Sequence, residues 1–267
     1  MTPVDFLAAA QEANRLARPV TLEGDRVLRP RRAGTATVHS FLRHLRANGV
    51  TSVPEPVGVE RTTEVLRYIE GDTARLAWEH QKTLDGVRSA ARLLRTIHDA
   101  SRDWRPPADA VWESSTSNVD IDADDLVYCH GDPGPWNFIW RDGNAVALID
   151  WDLLYPGSRL DDIAYALHWF APMRSDELAL TWHHFPGVPD RRARATALLE
   201  EYGGLPRHLD LVEVVGARIR KTQEQIRRQA ELGHEPHATW LTQGMIDQWE
   251  ADMTWARAHR DLFVIDE

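Results

Sequence analysis

The sequence predicts an α+β protein in two lobes, a small strand-rich lobe over residues 1–70 with a hinge at its end and a mostly helical lobe over residues 71–267. Three features lead there. Short alternating runs bounded by turn residues crowd into the first seventy positions. Beyond Gly71 the apolar residues recur mainly at helical spacing. Between about 126 and 149 a few short apolar runs, joined by loops rich in Gly, Pro and Asp, interrupt the helices.

Val4 to Ala17 has helical spacing and few breakers, and after Pro19 the runs Val20 to Glu23 and Arg26 to Arg29 flank Gly24-Asp25 as a hairpin. Thr35 is placed to cap a helix from Ala36 to Ala47, which Asn48-Gly49 ends. Val57 to Glu60 and Glu64 to Ile69 read as two more strands, and the chain crosses between lobes near Arg67 to Gly71. From Thr83 to Ala100, the spacing of Val87, Ala91, Leu94 and Ile97 marks a long helix. Leu126 to Cys129, Phe138 to Trp140 and Ala145 to Ile149 are strand-like. Leu160 to His168, Arg191 to Tyr202, Leu209 to Leu232 and Trp240 to His259 are helical in pattern.

With 43% hydrophobic and 27% charged residues, the composition is that of a globular protein. A formal net charge of -10 disfavours nucleic acid and anionic membrane surfaces, and it favours the approach of a cationic small molecule. The one cysteine, Cys129, excludes an intramolecular disulfide framework and suits a reducing compartment. Met1 to Ala10 carries Asp5 where a secretory leader needs basic residues, and no segment reaches the roughly 20 apolar residues that span a bilayer. A soluble, cytoplasmic protein is expected, with its oligomeric state open.

The chemistry concentrates in His130-Gly131-Asp132-Pro133-Gly134-Pro135-Trp136-Asn137, a loop that follows a strand. Phosphoryl-transfer enzymes of the kinase type use an Asp to orient the attacking hydroxyl and an Asn five positions later to hold Mg²⁺. Asp132 and Asn137 keep that spacing. Asp150 ends the apolar run Val146 to Ile149, and a hairpin turning at Asp142-Gly143 brings it back towards Asn137. An amide oxygen and a carboxylate suit Mg²⁺, which takes one or two protein oxygens beside phosphate and water.

These residues, with Ile149-Asp150-Trp151-Asp152, resemble the aminoglycoside phosphotransferase, choline kinase and homoserine kinase superfamily, whose fold is protein-kinase-like. Within it the chain is most similar to bacterial proteins called phosphotransferase or trifolitoxin-immunity-like. The resemblance covers about residues 18 to 175. It implies that Asp162 opens a helix and braces the catalytic loop, and that Val65 to Gly71 is a hinge whose backbone near Arg67 and Ile69 holds the adenine. The implied reaction is Mg²⁺-dependent transfer of the γ-phosphoryl group of ATP or GTP to a hydroxyl of a small molecule.

The chain also departs from that pattern. Kinases grip the nucleotide phosphates with a strand Lys paired to a helix Glu. The only lysines here, Lys82 and Lys221, lie beyond the hinge, so the phosphate contact falls to Arg29, whose planar fork is not interchangeable with an ammonium. The helix from Ala36 to Ala47 has no acidic residue, His39 stands about where the Glu would be, and there is no Gly-rich phosphate loop. The usual ion pair is therefore expected to be missing. This keeps open a second reading, a pseudokinase or immunity-type binding protein without turnover.

Other residues have plainer readings. His130 braces the loop rather than carrying a proton, Cys129 is a core residue, and His183-His184 is a packing or surface pair. Arg218, Arg220, Lys221, Arg227 and Arg228 read as the solvated face of a helix. Asp176, Glu177, Glu250 and Asp252 lie in the lobe where the resembling family binds its acceptors, which suits a cationic substrate, and a solvated face explains them equally well.

Overall fold

Gly24, at φ +61°, supplies the left-handed turn that folds β1 (Thr21–Glu23) back onto β2 (Arg26–Pro30). The computed structural model describes residues 19–114, 125–206, 208–233 and 235–265, so the helix expected over Val4 to Ala17 lies outside the described residues. With β3 (Pro56–Glu60) and β4 (Thr63–Arg67), the hairpin forms an antiparallel sheet in the order β1-β2-β4-β3. The β2–β4 register sets Arg29 directly opposite Glu64.

Helix α1 (Thr35–Ala47) buries Val38, Phe41, Leu42 and Leu45, and it ends at Asn48 and Gly49 as expected. Its start differs, because Gly34 occupies the N-cap and the Thr35 hydroxyl accepts from the Arg32 amide at 2.9 Å. After β4 the chain is pinned to the second lobe by paired backbone bonds between Asp72 and Trp140, at 2.8 and 2.9 Å. Gly71 permits that approach: at φ +143° a Cβ there would stand 2.6 Å from the Trp140 carbonyl.

The second lobe begins with α2 (Ala77–His80) and α3 (Leu84–Ser101). The Thr83 hydroxyl caps α3 by accepting the Gly86 amide at 3.0 Å, and Val87, Ala90, Ala91, Leu94 and Ile97 form its buried stripe. β5 (Leu126–Cys129) leads to the loop 130–137, and β6 (Phe138–Arg141) and β7 (Asn144–Leu148) form the expected hairpin. Asp142 and Gly143, at φ 48° and 79°, make the two-residue turn with both positions left-handed. β8 (Tyr155–Ser158) pairs with β5, an element the sequence hides because Tyr-Pro-Gly-Ser has no strand pattern.

Six helices complete the lobe: α4 (Arg159–Phe170), α5 (Asp176–Thr181), α6 (Arg191–Tyr202), α7 (Leu211–Glu231), α8 (His237–Thr242) and α9 (Met245–Ala258). The single helix expected from Trp240 to His259 is divided at Gly244, which adopts φ +81°. The core runs through both lobes, from Phe41 on α1 through Trp151 and Ile97 to Leu198 on α6. The fold is thus α+β and bilobal, with a reduced strand-rich lobe. Among the described residues no helix is long and apolar enough to cross a membrane.

Candidate active site

β5 delivers His130 to the interior, where both ring nitrogens meet backbone. Nε2 lies 2.7 Å from the Ile149 carbonyl, and Nδ1 accepts the Asp132 amide at 3.2 Å. Together these fix the neutral tautomer with the proton on Nε2, leaving no lone pair for a substrate. His130 is therefore a brace. Asp162, fully buried in the first turn of α4, holds the same loop: Oδ2 accepts the His130 amide at 2.6 Å and His98 Nε2 at 3.1 Å, and Oδ1 accepts the Gly131 amide at 2.9 Å. Burial by itself raises its pKa, but the hydrogen bond from His98 and the neighbouring donors more than reverse this and hold it below 3.8.

Asp132 Oδ2 accepts from Asn137 Nδ2 at 2.9 Å and from the Trp136 indole at 3.2 Å. Among the described residues no partner within hydrogen-bond distance reaches its buried Oδ1, although the Tyr165 hydroxyl is near enough to act on the carboxyl. Burial raises the Asp132 carboxyl above the ordinary aspartate range, against lowering by the Tyr165 hydroxyl and His130. The Trp136 ring lies across Gly134, where a Cβ would stand 2.3 Å from a ring carbon. The loop has room for this tryptophan because residue 134 has no side chain.

Asn137 sits in a single 3₁₀ turn, its carbonyl accepting the Ile149 amide at 2.8 Å. Its Nδ2 also donates to the Asp132 carbonyl at 2.8 Å, so the amide is oriented with Oδ1 turned to the other side. Asp150 follows at φ 62° and ψ 61°, a left-handed conformation that Asp tolerates better than most residues and that lifts its carboxylate out of the strand line. Among the described residues, no group of three or more His, Cys, Asp or Glu side chains converges as a metal cage. One carboxylate, one oxygen of which is bonded to Arg29, with one amide oxygen is a sparse, hard donor set that would suit Mg²⁺ brought with a phosphate.

Arg29 reaches this site from β2. Nη1 meets Asp150 Oδ1 at 2.9 Å, Nη2 meets Asp152 Oδ1 at 2.7 Å, and Nε pairs with Glu64. Burial alone would lower its pKa, but Asp152, Asp150 and Glu64 raise it above the ordinary arginine value. The strand cation of the small lobe is nevertheless paired, by an acid on the neighbouring strand instead of one on the helix. Glu64 is 1% exposed, and its Oε1 lies 2.8 Å from Nε2 of His39 on α1. Burial would raise the Glu64 carboxyl, and the bonds from His39 and Arg29 hold it below the ordinary glutamate range. Asp152, quoted in the motif without a role, also accepts from Arg32 at 3.4 Å.

The hinge is less simply arranged. The Arg67 amide donates to the Glu55 carbonyl at 2.9 Å, the Tyr68 amide to Asp25 at 2.8 Å, and the Arg67 side chain pairs with Asp25. Among the described residues no such bond engages the Ile69 amide.

Two residues leave the solvated faces assigned to them. Arg218 is 4% exposed, donates to the Gly131 carbonyl and lies 5.0 Å over the Tyr165 ring, so it supports the catalytic loop from behind. Asp252 is 1% exposed and pairs with Arg174 at 3.0 Å, which removes it from reach of a cationic acceptor. His183 is buried against Trp78 at 4.9 Å, and burial drives the Cys129 thiol well above its usual pKa.

The sequence pattern of the phosphotransferase enzyme family matches residues 11–115 and 108–197. The trifolitoxin immunity protein of Rhizobium leguminosarum bv. trifolii is 32% identical over 164 residues, which span 60% of this chain and 61% of that relative's length. Among solved structures, an amicoumacin kinase superposes with a TM-score of 0.57 at 11% identity, covering 99% of this chain and 98% of the other. A choline/ethanolamine kinase family protein from Mesorhizobium loti gives 0.57 at 18% identity, covering 92% and 88%. A spectinomycin phosphotransferase gives 0.57 at 12% identity, covering 91% and 88%. At such identities the structural likeness speaks for the fold.

Proposed function

Because this chain belongs to the phosphotransferase enzyme family, we propose that it transfers the γ-phosphoryl group of ATP or GTP to a hydroxyl of a small molecule, with Mg²⁺ and in the cytoplasm. The observation that carries this reading is the convergence of Asp132, Asn137 and Asp150, with Asn137 tied to Asp132 at 2.9 Å and to Ile149 at 2.8 Å. In it Asp132 Oδ1 accepts the acceptor's proton and aims its oxygen at the phosphorus. Asn137 Oδ1 and the Asp150 carboxylate would hold the metal, which would neutralise phosphate charge when bound with the nucleotide. The Arg29 fork contacts the phosphates, and the hinge at Ile69 receives the base. His130, Asp162 and Arg218 keep the loop in shape.

The acceptor enters beside Asp132 and the partly exposed Trp136. A net charge of -10 favours a cationic or polar molecule, although Asp252 takes no part in its recognition. A second reading, an immunity-type binding protein without turnover, is favoured by the relative named for trifolitoxin immunity.

Thermal unfolding separates the two. A ligand at a hundred times its Kd stabilises the folded state by about 2.7 kcal/mol, so millimolar ATP or GTP with Mg²⁺ is expected to raise the Tm by several degrees. No shift with either nucleotide at several millimolar would leave the binding-protein reading in place.

A further inference from the structure

Arg29 and Glu64 face each other across the β2–β4 ladder, where opposing Cβ atoms are about 5 Å apart, close enough for a short ion pair. The pair uses the guanidinium's inner nitrogen, Nε, while Nη1 and Nη2 donate to Asp150 Oδ1 at 2.9 Å and Asp152 Oδ1 at 2.7 Å, each keeping a second N–H. A lysine has one nitrogen, which must serve acid and phosphate together. An arginine divides the two tasks. The second oxygen of Glu64 takes His39 Nε2 at 2.8 Å, and His39, 3% exposed, sits on α1 at the position where the sequence lacks an acid. A continuous hydrogen-bonded chain thus runs from α1 through β4 to the nucleotide side of β2.

We propose that Glu64 and His39 are positioning residues of the phosphate clamp. The relay Arg29–Glu64–His39 stands in for the strand lysine and helix glutamate of kinases, with Glu64 anchoring Nε so that the second N–H of each terminal nitrogen, beside its bond to Asp150 or Asp152, is presented to the nucleotide phosphates. The proposal rests on the phosphotransferase reading. Its experiment distinguishes the failure of one from the failure of the other.

Affinities for the Mg²⁺-nucleotide and for the matching nucleoside are measured by titration calorimetry and competition. A buried charge-assisted bond is at stake, so Glu64→Gln should weaken Mg²⁺-nucleotide binding about tenfold or more and leave the nucleoside, which has no phosphates, within about twofold. Since Glu64 acts through Arg29, adding Glu64→Gln to Arg29→Ala should cost no further affinity. His39→Leu should weaken the nucleotide by about threefold or more, whereas His39→Gln, whose amide can still donate to Glu64, should retain wild-type affinity; these variants decide the matter if Glu64→Gln does not fold. The proposal is overturned if nucleotide and nucleoside affinities fall together, if the double variant's losses add, or if both Glu64→Gln and His39→Leu bind as wild type does. A wild-type protein that binds neither Mg²⁺-ATP nor Mg²⁺-GTP would remove the phosphotransferase reading and the relay with it.

Discussion

Asp162 offers the sharpest test of how the catalytic loop is held. It is fully buried and accepts three hydrogen bonds, from the His130 amide at 2.6 Å, the Gly131 amide at 2.9 Å and His98 Nε2 at 3.1 Å. In Asp162→Asn the amide oxygen can keep the pair at the Oδ2 position, but Nδ2 then faces the Gly131 amide, donor against donor. One bond is lost, a buried donor is orphaned and the remaining two lose their charge assistance, for a cost of about 2–4 kcal/mol. For a chain of this size that is a fall in Tm of about 10 °C. The pH dependence follows from the depressed pKa: the carboxylate's stabilisation is fully present above its unfolded value near 3.8 and is lost as pH falls through the lower folded value. Urea titrations of wild type and Asp162→Asn should therefore differ by about 2–4 kcal/mol at pH 7, begin to converge below about pH 4 and meet only below the lower folded pKa. A difference under about 1 kcal/mol at pH 7, or one that persists unchanged into acid, would refute the bracing role.

Three further variants address the chemistry. Asp132→Asn keeps the shape of the base and removes its proton acceptance, so the Mg²⁺-nucleotide should bind as before while single-turnover transfer falls by about 10²–10⁴-fold; undiminished transfer would reassign the base. Trp136→Phe deletes the indole donor 3.2 Å from Asp132 Oδ2, and Gly134→Ala places a methyl 2.3 Å from the Trp136 ring, so each should lower kcat about tenfold with nucleotide affinity preserved. Wild-type kcat in both would reduce Trp136 to packing.

The parts legible in the sequence are those set by local rules. The Asp142-Gly143 turn fixes the β6–β7 hairpin, and the hairpin fixes Asp150 beside Asn137. Thr83 marks the start of α3 because its hydroxyl is the cap. Glu64 escaped notice because its partner is 35 positions away, and only the strand register, which sequence periodicity does not number, brings them together. Arg218 escaped for a related reason: it lies in a run of basic residues whose neighbours Lys221 and Arg227 are about half exposed, and a helix turns one member inward without changing the composition of the run. Buried charge was the available signal at Glu64, which stands in a strand otherwise followed by Val65 and Leu66.

The same pair bears on whether the reduced small lobe is a working one. Taken singly, Arg29 for lysine and His39 for glutamate each read as loss, but in the folded chain they fit one another. A second acid on α1 would face the carboxylate of Glu64 at hydrogen-bond distance and repel it, whereas His39 completes it at 2.8 Å. Holding a carboxylate charged at 1% exposure carries a desolvation cost, and apolar residues of similar volume often stabilise such a position as well or better. Removing any one of Arg29, Glu64 and His39 would leave a buried charge uncompensated, so the three hold together as a unit. With Arg29 bonded to the carboxylates of Asp150 and Asp152, the arrangement is compatible with the re-sited phosphate clamp proposed above, and the Glu64 and His39 variants decide between that clamp and a purely structural network.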